Sequence, residues 1–409
     1  MNDEMVKYVE EVKGEEAGLI RLTTKTIVIK VIETKIATVQ RLSNKQYFLA
    51  LKRGNEGYIG KLSNLNEKPS LTPIEFYPIM TKNEKEFKNE RQSNIEPLFE
   101  DLSPLLSLID SEYPLYGTIT LSRVERALVT SKGFNGVESG YLINGYFRVK
   151  NKNYSGQWAF SSTTFNPQQV RDTIKRANEL ASITGDYDLP EGRYDVVISP
   201  LVVDNLMEAV AHMASGFSIM ARMSMLRLGE KNSSEKFTMF DTPKNEEIPN
   251  SWSFDDEGTF TYNKPIIENG MFNKPLLNNE LAPLFNSEST GNAGWIRPTV
   301  WNLEIKGGDV SYESLLSGNV IFINNVWYTR FQNLVEGLFS TVCRDATVVY
   351  KNGSPVGIAS RIRIADSLKR LLMNIEELSK ERFLVSWWDA RTNVLSPYIL
   401  IKDVKITKA

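Results

Sequence analysis

Gly192-Arg193-Tyr194-Asp195-Val196-Val197-Ile198-Ser199-Pro200, continuing into Leu201-Val202-Val203-Asp204-Asn205-Leu206-Met207-Glu208-Ala209-Val210-Ala211-His212, is the stretch whose reading decides the fold. Tyr194–Ile198 is a β-branched and aromatic run of the kind that fills a buried strand. Ser199-Pro200 then supplies an N-cap hydroxyl and a proline suited to the first helical position. Beyond it Val203, Leu206, Val210, Met213, Phe217 and Met220 recur at helical spacing, which predicts a long helix over 199–228. Short strands separated by Gly, Pro and Asn follow almost to the end. One further helix is expected after Asp366, carrying Leu368, Leu371, Leu372, Ile375 and Leu378. The predicted class is α+β: a β-rich C-terminal domain, 191–409, with the long helix across its cleft, behind an N-terminal mixed α/β part.

Asp188-Leu189-Pro190-Glu191-Gly192 marks the boundary between the two parts. Ahead of it, residues 94–190 read as an α/β segment. Its strands are expected at 116–121, 127–130, 141–143 and 146–149. Asn166-Pro167 then opens a helix whose buried face is Val170, Ile174, Ala177 and Ala181. The charge-dense run 82–93 is the expected linker or exposed loop. Residues 1–66 form a small sheet module after a short helical leader, with a hairpin turn at Arg53-Gly54-Asn55-Glu56-Gly57.

Among 409 residues, 48 basic side chains stand against 50 acidic ones, a net charge of −2. That balance gives nucleic-acid binding no support and drives no attachment to an anionic membrane. No apolar run reaches the ~18 residues of a membrane span. The acidic N-terminus lacks the apolar core of a secretory signal, and one cysteine, Cys343, forms no internal disulfide. A cytoplasmic protein is expected.

The central helix also carries the only histidine, His212, with Glu208 four residues earlier on the same face. An imidazole and a carboxylate so placed are two parts of a zinc hydrolase: a ligand and a base for metal-bound water. The third part is missing from the local text, because zinc sites need three or four strong ligands. Without a metal, His212 is a packed or capped side chain and Glu208 a hydrogen-bonded remnant. Elsewhere, Asp255-Asp256-Glu257 is costly to bury unless it binds something, and is otherwise a solvated or capped turn. Gly291-Asn292 suits a left-handed turn or a substrate contact. Cys343 beside Arg344 has no histidine nearby in sequence to act as its base. Trp387-Trp388 reads either as core or as an interface anchor.

Phe254-Asp255-Asp256-Glu257-Gly258, Ile267-Glu268-Asn269-Gly270, Ser289-Thr290-Gly291-Asn292-Ala293 and Val348-Val349-Tyr350-Lys351-Asn352-Gly353 follow Gly192–Val197 in an order and spacing that resembles the TldD/PmbA family. That family, also labelled "modulator of DNA gyrase", includes zinc metallopeptidases. In its zinc-bearing members the central helix reads His-Glu-x-x-x-His and a late cysteine completes the site. Carried onto this chain, the resemblance matches Glu208 to the base and His212 to the second ligand. Met207 replaces the first histidine, and Ser386-Trp387-Trp388-Asp389-Ala390-Arg391 has no thiol. A thioether suits copper(I) better than a hydrolytic zinc, and positions 207 and 212 are about 140° apart on a regular helix.

The resemblance therefore implies a zinc-ligand-deficient, PmbA-like member. It would hold no metal or cofactor of its own, with Glu208 a vestigial base and His212 the surviving ligand position. It would act as partner of a TldD-type zinc-bearing subunit, or as a homodimer, in processing peptide substrates. Asp255, Asp256, Glu257, Gly291 and Asn292 are the substrate-lining candidates. Two alternatives stand beside this reading: a rearranged metal site of Glu208, His212 and Asp255 or Asp256, and a non-enzymatic regulator or binding protein.

Overall fold

The computed structural model describes residues 2–12, 14–294 and 296–409. The acidic leader is helix α1 (Asp3–Glu11), which buries Met5 and Val9 against the first sheet. The strands of that sheet are β1 (Glu16–Ile32), β2 (Lys35–Arg53), β3 (Glu56–Leu62), β4 (Ser70–Ile74), β5 (Glu86–Glu90), β6 (Leu115–Thr130), β7 (Asn135–Asn151) and β8 (Tyr154–Ser162). They lie in the order β4-β3-β2-β1-β6-β7-β5, with β8 also on β7.

β1 runs against β6 from Gly18 opposite Thr130 to Val31 opposite Gly117. Residues 1–66 and 94–190 thus share one sheet. The 82–93 run, expected as a linker, supplies β5, parallel to the start of β7. One aromatic anchors this charged strand: Phe87 meets Phe254 edge to face at 5.7 Å. The two strands expected at 141–143 and 146–149 are one strand, β7. Gly145 between them is no turn. It is where Phe160 closes in, at 2.7 Å from where a Cβ would sit.

A turn of helix, α2 (Ser103–Leu106), and helix α3 (Pro167–Ser182) cover one face of this sheet. The Asn166 side chain caps α3 by accepting from the Gln168 N–H at 2.9 Å, and Val170, Ile174, Ala177 and Ala181 are buried as their spacing implies.

The second sheet begins with β9 (Gly192–Ile198), which leads through the Ser199 cap into helix α4 (Pro200–Met213). Pairings run from β9 to Val320–Asn333, Leu338–Lys351, Ile362–Ser367 and Ala390–Lys408, then back to β9, so these strands close a ring. Alternation along β9 joins the layers. Val196 and Ile198 enter the core under α4, whereas Val197 faces the core shared with the N-terminal sheet and α3.

Two helix expectations are corrected. The one over 199–228 ends at Met213, and a separate short helix covers Gly216–Met220. Ala214 and Gly216 instead exchange backbone hydrogen bonds with Leu276, both at 2.9 Å. A Cβ on Gly216 would lie 2.6 Å from Leu277, so a glycine at the start of the second helix is what lets the chain pass this close to the 276–277 segment. The helix after Asp366 covers only Leu368–Met373, while Ile375 and Leu378 belong to the strand Ile375–Trp387. Their helix-like spacing comes from a register slip between Ile375 and Glu377. Among the described residues no helix is long and apolar enough to cross a membrane.

Candidate functional site

Asn205, Glu208, Ala209 and His212 sit three, one and three residues apart on α4, which makes one stripe of the helix. The opposite face, with Val203, Leu206, Met207 and Val210, is buried in the core. The stripe forms one wall of a shallow, solvent-open cleft of about 460 Å³, lined on its other side by Tyr328, Thr329, Arg330, Phe331 and Asp389. Residues 328 and 329 reach it because the strand Val320–Asn333 slips register between Trp327 and Arg330. Tyr328 lies in left-handed backbone at φ +61°, unusual for an aromatic residue, and is 56% exposed.

The late loop meets the helix here. Asn205 donates through Nδ2 to the Asp389 carbonyl at 2.9 Å, and its Oδ1 accepts from the Thr329 hydroxyl. The backbone N–H of Arg391 donates to Glu208 Oε2 at 3.1 Å. Burial raises the Asp389 carboxyl, with Glu208 adding to the rise and the Tyr328 backbone amide opposing it. Solvent reaches His212, yet the protein around it lowers its imidazole; Arg297 adds to that and Glu208 opposes it.

Met207 is 3% exposed and packs inside the apolar core, not in the cleft. Among the described residues no three His, Cys, Asp or Glu side chains converge as a metal cage. The donors present do not fit a hydrolytic zinc: one imidazole, a carboxylate held by a backbone amide, and a thioether turned into the core. Cys343 offers no substitute. It is buried, its thiol is pushed up to about 12 by burial, and it lies outside the cleft lining.

Asp255, Asp256, Glu257, Gly291 and Asn292 also lie outside that lining. Asp255 Oδ1 accepts from the N–H groups of Glu257 (3.0 Å) and Thr259 (2.9 Å), and its Oδ2 accepts from Ala293 N–H at 3.0 Å. Asp256 pairs with Arg126 at 2.5 Å. Glu257 accepts from Ile79 N–H at 3.2 Å and Asn279 N–H at 2.9 Å. Asn292 Nδ2 donates to Asp241 Oδ2 at 2.7 Å and to the Thr299 carbonyl at 2.8 Å. Gly291 sits at φ +67°, where a Cβ would press to 2.9 Å on the Phe260 carbonyl. With Asp255 and Asp256 so engaged, the alternative cage of Glu208, His212 and Asp255 or Asp256 is not assembled among the described residues.

Asn205, Thr329 and Asp389 were not anticipated as site residues. Asn205 was legible as the residue three before Glu208 on its stripe. Asp389 lies in the Ser386–Arg391 stretch, where no residue type marks it as a partner of the helix. Of the tryptophan pair, Trp387 is core at 2% exposure, and Trp388 is 40% exposed against Trp327.

Beneath the cleft Asp204 is fully buried and neither carboxylate oxygen has a partner among the described residues. Burial raises it well above the carboxylate range, with Glu208 adding to the effect. Asp255 is likewise raised from 3.8 to about 7, mainly by burial. Carboxyls held neutral in the fold ionise first in the unfolded chain, so stability is greatest below the unfolded value and falls as pH rises toward 7. His212 has the opposite sign but is a single group. The melting temperature is therefore expected to drop between about pH 4 and pH 7. Asp204→Asn should shrink that drop, and an unchanged pH profile in the variant would contradict the assignment.

Residues 191–408 match the family model described as the PmbA/TldA metallopeptidase C-terminal domain. TldE from Thermococcus kodakarensis superposes with a TM-score of 0.83 at 17% identity, covering 99% of each chain. A metalloprotease of Methanocaldococcus jannaschii is 28% identical over 202 residues, 47% of this chain and 44% of that protein. One from Methanothermobacter thermautotrophicus is 33% identical over 135 residues, 31% of this chain and 30% of that protein. The chain thus matches less than half the length of these two curated relatives.

Proposed function

The chain belongs to the TldD/PmbA family of metallopeptidase-like proteins, and from that premise we propose that it serves peptide processing as a scaffold or partner subunit without zinc hydrolysis of its own. One observation carries this reading. The helix stripe and the late loop meet in one cleft, but the residue at the first ligand position, Met207, is built into the core. Asn205, Glu208 and Asp389 there are engaged with backbone amides, a carbonyl and a hydroxyl, which makes the cleft a structural joint between α4 and the loop. A joint of this kind preserves the surface of the fold while leaving hydrolysis to a zinc-bearing family member.

The Asp255–Gly258 loop supports a structural part in the same reading, since its carboxylates tie the C-terminal part to Arg126 of β6 and to the 79–81 segment. The test is a peptidase assay on extended unstructured peptides. The chain alone should be inert with or without chelator, and adding it to a zinc-bearing family member from the same cell should raise that subunit's turnover. Chelator-sensitive cleavage by the chain alone, or no effect on the second subunit, would overturn the proposal.

A further inference from the structure

We propose that the outer edge of β2 from Lys35 to Gln46 is a docking strand for an extended, carboxylate-bearing segment of another chain. β2 pairs with β1 along its length, but on its other side β3 begins only at Tyr47, opposite Leu62. Lys35 to Gln46 is therefore an open sheet edge, and every residue from 35 to 45 is exposed. About half of the residues on such an edge aim both N–H and C=O outward, ready to add a strand. The edge is held in place: Thr34 N–H donates to the Leu115 carbonyl at 2.9 Å, Leu115 N–H returns to Thr34 Oγ1 at 3.2 Å, and β6 backs β1.

The side chains define the occupant. Ile36 and Val39 stand opposite Val31 and Ile29, which are 1% and 0% exposed, yet are themselves 36% and 41% exposed. The inner apolar face of the sheet thus runs out past its last strand into solvent. Ile32 and Leu42, at 51% and 55%, add apolar surface. Over Lys35–Gln46 the charges are Lys35, Arg41 and Lys45, with no carboxylate. Arg41 also donates to the Phe99 carbonyl, and the carboxylate at the hairpin tip, Glu33, accepts from Tyr116. A second copy pairing here would bring three more cations and no carboxylate to the shared edge, leaving the charge unbalanced. Arg41 and Lys45 share the inner face with Ile36 and Val39, and Leu42 lies on the outer face with Ile32. A strand alternating acidic and apolar residues sets its carboxylates against the inner-face cations and its apolar side chains against Ile32 and Leu42 while satisfying the backbone.

This surface lies outside the α4 cleft, and the proposal is independent of the metal question: zinc bound by the chain would overturn the scaffold reading and leave this one untouched. The probe is a fluorescein-labelled octapeptide of alternating Glu and Val, with its Lys-Val counterpart and an alternately N-methylated Glu-Val version as controls. The Glu-Val peptide should bind and slow amide exchange at residues 35–46. The triple variant K35E/R41E/K45E, with folding confirmed by its circular dichroism, should bind it at least tenfold more weakly, and the double variant K35E/K45E should also lose affinity, to a lesser degree. N-methylation should abolish binding. Equal binding of the Lys-Val peptide, protection mapping elsewhere, indifference to N-methylation, or a homodimer protecting this edge would each overturn the proposal.

Discussion

Replacing Arg126 by alanine is expected to lower the unfolding free energy by about 3–5 kcal/mol, the range seen when one partner of a buried ion pair is removed. Its guanidinium sits between acceptors of the N-terminal sheet and of the 254–256 loop. It donates to the Phe254 carbonyl at 2.6 Å, pairs with Asp256 at 2.5 Å, and lies 3.5 Å from Glu138, which is 0% exposed. It also covers the faces of Phe254 (4.7 Å) and Trp301 (5.6 Å). Burial raises both carboxyls, and the charge of Arg126 is the largest influence opposing the rise in each. Without it Glu138 and Asp256 must take up protons or leave their places. Because Arg126 fastens the 255–258 loop to β6, beside the direct bond from Ser253 N–H to Glu138 of β7, the loss should appear as a lower urea midpoint, steepest above pH 7. Lysine should restore only part of it, since a point charge cannot reach both acceptors as a planar fork does. A change below about 1 kcal/mol would place Arg126 with solvent-screened surface pairs.

Met207→His, the substitution that restores the family's first ligand in sequence, should destabilise the chain by roughly 2–4 kcal/mol and create no zinc site. The thioether is 3% exposed among Val203, Val210 and other aliphatic side chains. An imidazole there loses packing and brings polar nitrogens into apolar surroundings. It also points about 140° around the helix from His212. Equilibrium unfolding with and without zinc is the measurement. A variant as stable as the parent and further stabilised by zinc would show that position 207 turns into the cleft.

Long stretches of the architecture were legible because their determinants are local. Tyr194–Ile198 and Ser199-Pro200 carry strand and cap in adjacent residues, and Asn166-Pro167 starts α3 where its chemistry puts it. What failed depended on distant partners. The helix stops at Met213 because Leu276, more than 60 residues later, takes the hydrogen bonds of Ala214 and Gly216. Helical spacing at Ile375 and Leu378 came from a bulge against the last strand, and the ring closed by β9 and Ala390–Lys408 has no local signature.

The site divides in the same way. Glu208 and His212 share a face by periodicity alone, so their place in one cleft could be read directly. The meeting with Asp389, and the burial of Asp255 and Glu257 among backbone amides, are properties of loop geometry that residue types leave open.

The proposal that α4 holds no zinc is tested most directly by metal analysis of the purified chain after incubation with zinc and dialysis. The expected result is no retained zinc, with His212→Ala indistinguishable from the parent. One zinc per chain, lost in His212→Ala, would contradict it.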